Sequence, residues 1–212
     1  MYVQKHFLED DPNTLHATMR TIGAATLVSQ GPDGLIASHV PLEIISAPAP
    51  WGLVRCHLVR ANPHAAVLAD GGEVLLTFQG TQGYISPSHY PSKKTNDGKV
   101  VPTWSYVAIH AYGQASVFEG PDALRPHLAA LTNVHEAGRA EPWTIDDAPD
   151  DFIDMLCKAI IGFEIPLSRI EGKWKMNQHR PPADRDGMVA GLRAEGRSDL
   201  ADVAEASARR ND

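Results

Sequence analysis

Residues 24–45, AATLVSQGPDGLIASHVPLEII, contain two apolar runs separated by a turn. The first run covers Ala24 to Ser29, and the second covers Leu35 to Ile45. The turn between them, Gly31-Pro32-Asp33-Gly34, has the residue types that reverse a chain between two strands. This stretch therefore predicts a β-hairpin, in which Pro41 places the second strand at an edge, a bulge or a ligand-facing rim.

The rest of the chain alternates short strand patterns with helical ones. Further strands are predicted over 53–58, 73–78, 100–119 and 163–170, and helices after Asp11-Pro12 and over 63–69, 122–136, 152–160 and 188–208. Residues 81–92 look irregular, and residues 93–99 look like an exposed flexible loop. Six or seven strands with few long crossovers predict a mainly β (α+β) fold, an antiparallel barrel with flanking helices.

Composition limits the classes of protein to which this chain can belong. It has 212 residues, a hydrophobic fraction of 43% and a formal net charge of −7 at pH 7. No run of about 18 apolar residues predicts a membrane span, and the charged N-terminus does not resemble an export signal. With only two distant cysteines, these features predict a cytoplasmic protein with free thiols. The acidic charge gives no support for DNA binding, although it does not exclude a local basic patch.

The segment Cys56 to His64 is the most informative candidate for a binding site. It predicts a strand, then a helix start with Asn62 as N-cap and Pro63 at the first helical position. A helix start offers unpaired N–H groups, and Arg60 adds a fork of donors that suits phosphate. The simpler interpretation is an ordinary cap beside a solvated arginine, and the segment alone favours that interpretation.

Three other polar clusters lie at predicted strand ends. They are Ser38-His39-Val40-Pro41, Pro102-Thr103-Trp104-Ser105-Tyr106, and Gly172 to Gln178, where Lys173 and Lys175 alternate with apolar residues. Taken singly, each cluster has a simpler explanation. The first would be a polar pair at the rim of a sheet, the second would be aromatic residues whose polar end contacts water, and the third would be a solvated sheet edge. Together they offer phosphate donors, hydroxyl and amide donors, and flat apolar surfaces. A flavin nucleotide needs all three.

No stronger catalytic motif competes with this interpretation. The sequence contains no phosphate-binding glycine-rich loop, dinucleotide fingerprint or nucleophile elbow. His57 and His64 are seven residues apart on different predicted elements, so no metal site is predicted. Haem ligation by one histidine has no spacing signature and stays an alternative. His39 and His57 are candidates for a general base, and no catalytic residue is assigned.

A family resemblance becomes specific when these motifs are taken in order. They are Met1-Tyr2, His39-Val40-Pro41-Leu42, His57-Leu58-Val59-Arg60-Ala61-Asn62-Pro63, Tyr84-Ile85-Ser86-Pro87, Val101-Pro102-Thr103-Trp104-Ser105-Tyr106 and Glu171-Gly172-Lys173-Trp174-Lys175-Met176-Asn177-Gln178. The set resembles the PaiB-type FMN-binding negative transcriptional regulators. The chain departs from that family at Ser105, where Asn is usual, at His89, where Trp is usual, and at Asn177, where Ser is usual.

The resemblance implies an FMN-binding split β-barrel over residues 1–180, followed by a C-terminal helical extension over 181–212. It also implies a homodimer with flavin at the subunit interface, and repression of genes for sporulation and degradative enzymes. We expect Arg60, Lys173 and Lys175 to hold the FMN phosphate, with help from N–H groups at Asn62-Pro63. The other expected contacts with FMN are Ser38, His39, Val40, His57, Thr103, Trp104, Tyr106 and Gln178.

Three functions remain open from the sequence. In the first, FMN biases a state that binds DNA or a regulatory protein partner. In the second, the chain is a small flavin- or haem-dependent oxidoreductase, since one fold hosts many functions. In the third, the pocket is degenerate and binds no cofactor.

Overall fold

A computed structural model describes residues 1–209, which form two compact units. Unit 1 consists of residues 1–10, 79–109 and the chain from residue 171 onward, and unit 2 consists of residues 11–78 and 110–170. The last residues of the predicted C-terminal extension, 210–212, lie outside the described residues. None of the described helices is long and apolar enough to cross a membrane.

The secondary structure is rich in strands. The strands are β1 (Leu8–Glu9), β2 (Ala24–Gly31), β3 (Gly34–Pro41), β4 (Glu43–Ile45), β5 (Leu53–Val59), β6 (Glu73–Ile85), β7 (Thr103–Gln114), β8 (Ser116–Phe118) and β9 (Ile160–Lys175). The helices are α1 (Pro12–Ile22), α2 (Pro63–Ala69), α3 (Ser92–Thr95), α4 (Pro121–Glu136), α5 (Asp150–Ala159), α6 (Pro182–Ala194) and α7 (Ser198–Arg209). The strand order is β3-β2-β6-β7-β9-β5-β4, with β1 and β8 also paired to β9.

The predicted hairpin is present in unit 2 as the antiparallel pair β2–β3. Gly31 lies opposite Gly34 at the turn, and Ala24 lies opposite Pro41 at the far end. Both helix starts predicted from a cap followed by proline are also present, at Asp11 before α1 and at Asn62 before α2. Thus the mainly β prediction and its first two helices are confirmed.

Helices α4 and α5 pack together in unit 2 around a small apolar cluster. Leu124, Ile153 and Cys157 form its buried centre. The sequence placed Pro126 in the first turn of α4, but the helix begins at Pro121 and Pro126 lies inside it. That expectation was wrong because Pro126 is the sixth residue of a helix that begins at Pro121, which places it beyond the first turn.

Unit 1 contains the C-terminal helices. The sequence predicted one helix over 188–208, whereas α6 and α7 are separate and Gly196, at φ +76°, lies between them. A side chain at Gly187 or Gly191 would meet His89, at 2.2 Å from its carbonyl oxygen and 2.4 Å from its ring. Arg197 donates to the Gln82 carbonyl at 2.7 Å. The helices are therefore packed on residues 82–89, and this close approach requires glycine.

Two further expectations were wrong. Residues 81–85, predicted as irregular, continue strand β6, and Ser92–Thr95, predicted as loop, forms the single helical turn α3. Asp184 of α6 accepts hydrogen bonds from the backbone N–H of Ser92 at 3.0 Å and from its hydroxyl at 2.6 Å. The turn is thus stabilised by a partner distant in sequence, which a local pattern does not reveal.

Candidate functional site

Two lysines and a tyrosine form a cationic face in unit 1. Burial alternates along the end of β9, so Lys173 and Lys175 lie on one face, as the sequence predicted. Their ammonium nitrogens lie 5.5 and 5.8 Å from the centre of the Tyr106 ring. Lys173 also donates to the Tyr2 carbonyl at 3.1 Å. The contacts are cation–π in character and leave both lysines without a carboxylate partner among the described residues.

A cavity of about 260 Å³ lies in the same unit. Its walls are Gln4, His6, Phe7, Val101, Pro102, Thr103, Lys175, Asn177, His179 and Arg180. Arg180 stacks over the Tyr90 ring at 4.0 Å and approaches the Asp184 carboxylate at 3.5 Å. Its Nε is buried and has no hydrogen-bond partner among the described residues. One N–H of this guanidinium therefore has no acceptor among the described residues.

The cavity has a positive electrostatic character. Burial lowers the pKa of His179 below the usual 6.5, and the nearby His6, Arg180 and Lys175 lower it further. The same neighbours that disfavour protonation of His179 would stabilise an anion in the cavity. The donor set of a lysine, an arginine, a threonine hydroxyl and two imidazoles matches the oxygens of a phosphate monoester.

The remaining predicted residues of unit 1 have mixed environments. Trp104 is 49% exposed and donates to the Gln82 side chain at 2.9 Å. Ser105 is fully buried, and its hydroxyl has no partner among the described residues. Gln178 accepts from the Met176 N–H at 2.8 Å and donates to the Trp174 carbonyl at 2.6 Å. Gln178 therefore stabilises the turn after β9 with both ends of its amide.

In unit 2, the start of α2 is occupied by its own side chains. Asn62 accepts from the His64 N–H at 3.0 Å and donates to the Ser38 hydroxyl at 3.3 Å. The fully buried His64 ring bonds to Ser38 at 2.9 Å and to Ser29 at 2.7 Å. Burial lowers the pKa of His64. The structure brings Ser38 and Asn62 together, as a helix cap.

Other predicted residues of unit 2 have separate environments and do not form one cluster. Arg60 donates to the Lys158 carbonyl at 3.0 Å and to the Glu119 carboxylate at 3.2 Å. His39 is exposed and bonds to the Thr26 hydroxyl at 3.0 Å, while the neighbouring Val40 is buried. Their proposed contacts with FMN stay predictions.

His57 belongs to a chain of titratable groups that the sequence did not reveal. Its Nδ1 lies 3.2 Å from His127 Nε2, and His127 Nδ1 lies 3.0 Å from the Glu43 carboxylate. Phe118 packs edge-on against the fully buried His127. Burial, and then the charge of His127, lower the pKa of His57. A helical pattern could have indicated His127, since it lies on the apolar face of α4 that carries Leu124.

With Glu43 ionised and His127 neutral, these three side chains have one consistent pattern of hydrogen bonds. His127 donates from Nδ1 to Glu43, so its neutral ring accepts at Nε2 from His57 Nδ1. The lone pair of His57 is then on Nε2, and the residue as a whole is partly exposed. The residues His57, His127 and Glu43 are therefore a histidine relay, able to accept one proton without losing a hydrogen bond.

The antiparallel sheet, its flanking helices and the cation-lined cavity beside aromatic rings define the flavin-binding split-barrel class of protein. The chain belongs to the family whose model is described as "Putative FMN-binding domain", which matches residues 1–169. The resemblance proposed from the motifs is thereby confirmed, and with it FMN as the cofactor of the family. The match ends before Lys173, so both lysines of the cationic face lie beyond the matched residues, whereas Tyr106 lies within them.

Relatives extend over most of the chain. The "Protease synthase and sporulation protein PAI 2" of Bacillus subtilis is 28% identical over 97% of this chain and 95% of its own length. An uncharacterized protein of Emericella nidulans is 32% identical over 74% of each chain.

Solved structures resemble the fold. The FAD and heme binding protein of Mycobacterium smegmatis has a TM-score of 0.59 at 17% identity, over 87% of this chain and 80% of its own. The flavocytochrome Anf3 of Azotobacter vinelandii has a TM-score of 0.53 at 12% identity, over 82% and 72%. These likenesses confirm the predicted split-barrel fold.

Proposed function

We propose that this protein binds FMN through unit 1 and acts as a regulator of the PaiB type. The phosphate is held in the cavity by Lys175 and Arg180, and Thr103 contributes a hydroxyl. Lys173, Tyr106 and Trp104 provide the flanking cationic and aromatic surface. The observation that carries this proposal is the cavity on whose walls Lys175 and Arg180 lie together, where nearby positive groups lower the pKa of His179. Bound FMN supplies one- or two-electron redox chemistry.

The fit of FMN to this donor set rests on charge and shape. An arginine presents several N–H donors in one plane, and a lysine adds a point charge, so together they offset a phosphate dianion. Tyr106 and the half-exposed Trp104 offer flat faces of the kind on which a fused ring system packs. The buried Ser105 hydroxyl is a further polar group without a protein partner.

A flavin titration of the purified protein tests the binding step. Arg180→Met removes a charge-assisted contact worth about 1.5–3 kcal/mol, so we expect FMN to bind about 10- to 100-fold more weakly. The matched control is Arg139→Met, because Arg139 is an exposed arginine of unit 2 that pairs with Glu136. Equal affinities in wild type and Arg180→Met would remove Arg180 from the site, and a protein that binds no FMN would support the degenerate pocket.

The regulatory part of the proposal is supported by the Bacillus subtilis relative, whose name refers to protease synthesis and sporulation and whose length this chain nearly covers. The net charge of −7 disfavours a general attraction to DNA, so a regulatory protein partner or a local DNA patch is needed. We include in the proposal a homodimer and a cytoplasmic location. A gel shift with the protein's own upstream DNA at physiological salt, with and without FMN, tests whether the protein binds DNA. Light scattering tests whether it is a dimer.

An oxidoreductase is the second candidate, and the histidine relay favours it. A histidine with a free, oriented Nε2 is the group that acid–base steps of redox catalysis employ. Anaerobic bleaching of the bound flavin by a nicotinamide donor, without DNA retardation, would support this candidate. Because one solved structure of similar fold is named for both FAD and haem, a haem band in the purified protein would support haem instead.

A further inference from the structure

A second cavity, of about 220 Å³, lies in unit 2 and shares Glu43 with the histidine relay. Its walls are Arg20, Gly23, Leu42, Glu43, Ile44, Ala130, Leu131, Val134 and His135. The apolar residues come from β4, the residue before it, and α4. The charged residues Arg20 and Glu43 come from α1 and β4. The cavity is thus a small apolar pocket with one cation and one anion on its walls.

Arg20 and Glu43 do not neutralise each other. Arg20 donates to the Ile44 carbonyl at 3.3 Å and to the Ser46 hydroxyl, both of which are uncharged acceptors. Glu43 holds His127 through Oε2, and its side chain is 19% exposed. Among the described residues, no ion pair joins Arg20 to Glu43. The guanidinium therefore lacks a carboxylate, and the second carboxylate oxygen of Glu43 lacks a donor.

We propose that this cavity binds a free α-amino acid with a branched aliphatic side chain. Arg20 receives the carboxylate of the ligand, Glu43 receives its ammonium group, and Leu131 and Val134 contact its side chain. A ligand that carries both charges pairs with both Arg20 and Glu43, whereas a simple acid or a simple amine leaves one of these two side chains unpaired. The cavity volume corresponds to about seven water molecules at roughly 30 Å³ each, which suits a solute of this size.

The site is also connected to the histidine relay. Glu43 is both a wall of the cavity and the acceptor for His127, which in turn contacts His57. An ammonium group beside Glu43 weakens the hydrogen bond between that carboxylate and His127 Nδ1–H, because two donors then compete for one carboxylate. Occupancy is therefore transmitted to the imidazoles of His127 and His57. This inference does not depend on FMN binding, and it adds a metabolite to which a regulator could respond.

Calorimetric titration of the full-length protein with L-leucine, L-valine and L-isoleucine tests the site. We expect saturable binding, and at least tenfold weaker binding of 4-methylpentanoate and of isoamylamine, which each lack one of the two charged groups. L-Glutamate and L-lysine, whose charged side chains oppose the apolar wall, are expected to bind as weakly. No saturable binding of a branched aliphatic amino acid, or equal binding of 4-methylpentanoate, would overturn the proposal.

Variants give a second, independent test. Glu43→Gln and Arg20→Gln are expected to weaken leucine binding at least tenfold, while the control Arg139→Gln, at an exposed arginine of the same unit, leaves it unchanged. In ¹⁵N spectra, leucine is expected to shift the ring resonances of His127 and His57 in the wild type and not in Glu43→Gln. Leucine binding that is unchanged in both cavity variants would overturn the assignment, and the ligand series on the wild type decides the matter if either variant does not fold.

Discussion

The cation-lined cavity of unit 1 and the start of α2 in unit 2 both carry positive side chains, but these have different partners. Arg60, near the start of α2, is bonded to the Glu119 carboxylate and to a backbone carbonyl. In unit 1, Lys173 and Lys175 face the Tyr106 ring and have no carboxylate partner among the described residues, whereas Arg180 pairs with Asp184 and retains an unbonded Nε. The difference teaches that a positively charged side chain indicates an anion-binding site only where no carboxylate of the protein already pairs with it.

The backbone donors differ in the same way. Helix α2 is only seven residues long, and the side chain of Asn62 accepts from one of its first N–H groups. A short capped helix has little unsatisfied positive charge at its start. The start of α2 is therefore best explained by a structural role, in which hydrogen bonds connect Ser38, Asn62 and His64.

Removing the buried His64 ring at the start of α2 is expected to have the largest effect on stability. His64→Ala leaves a cavity and removes the partners of Ser29 and Ser38, so the free energy of unfolding should fall by about 3 kcal/mol. Urea denaturation monitored by circular dichroism measures this change, and FMN affinity of the folded variant should be unaltered. A variant of undiminished stability that has lost FMN would instead make the α2 start a cofactor site.

The pH dependence is expected to separate the two regions by a smaller effect. The pKa values of His64 in unit 2 and His179 in unit 1 lie below the usual 6.5, so each binds fewer protons in the folded than in the unfolded state. Their contribution to stability is therefore present above about pH 6.5 and is lost as the pH falls through the folded-state pKa values.

Phosphate at the unit 1 cavity should raise the pKa of His179, since it adds negative charge there. It should leave the pKa of His64 unchanged. Imidazole shifts followed by NMR from pH 8 to pH 5, with and without FMN, measure both pKa values. A rise for His64 alone would place the phosphate at the α2 start.

Local signals in the sequence predicted much of the fold. The turn at Gly31-Pro32-Asp33-Gly34 and the caps at Asp11 and Asn62 act over a few residues, so the hairpin and two helix starts were predicted correctly. Strand β6 was predicted too short, because residues 81–85 carry no apolar alternation. The α6–α7 break was missed, because Gly196 was taken as a residue within one helix.

The candidate site was predicted less completely, for a physical reason. Alternation along β9 was enough to place Lys173 and Lys175 on one face. The partners of Arg60 and the pairing of His57 with His127 join residues 59 and 70 positions apart in the chain. Such contacts depend on tertiary packing, which produces no periodic pattern in the sequence. Which cations are neutralised could therefore be decided only in the structure.

The most direct test of the phosphate assignment is the ratio of FMN to riboflavin affinity, since the two ligands differ only in the phosphate. In Lys175→Met the ratio is expected to fall about tenfold or more, because a charge-assisted contact to the phosphate is lost. In Arg60→Met it should stay at the wild-type value, because that guanidinium already pairs with Glu119. A ratio that falls in Arg60→Met and is unchanged in Lys175→Met would contradict the account.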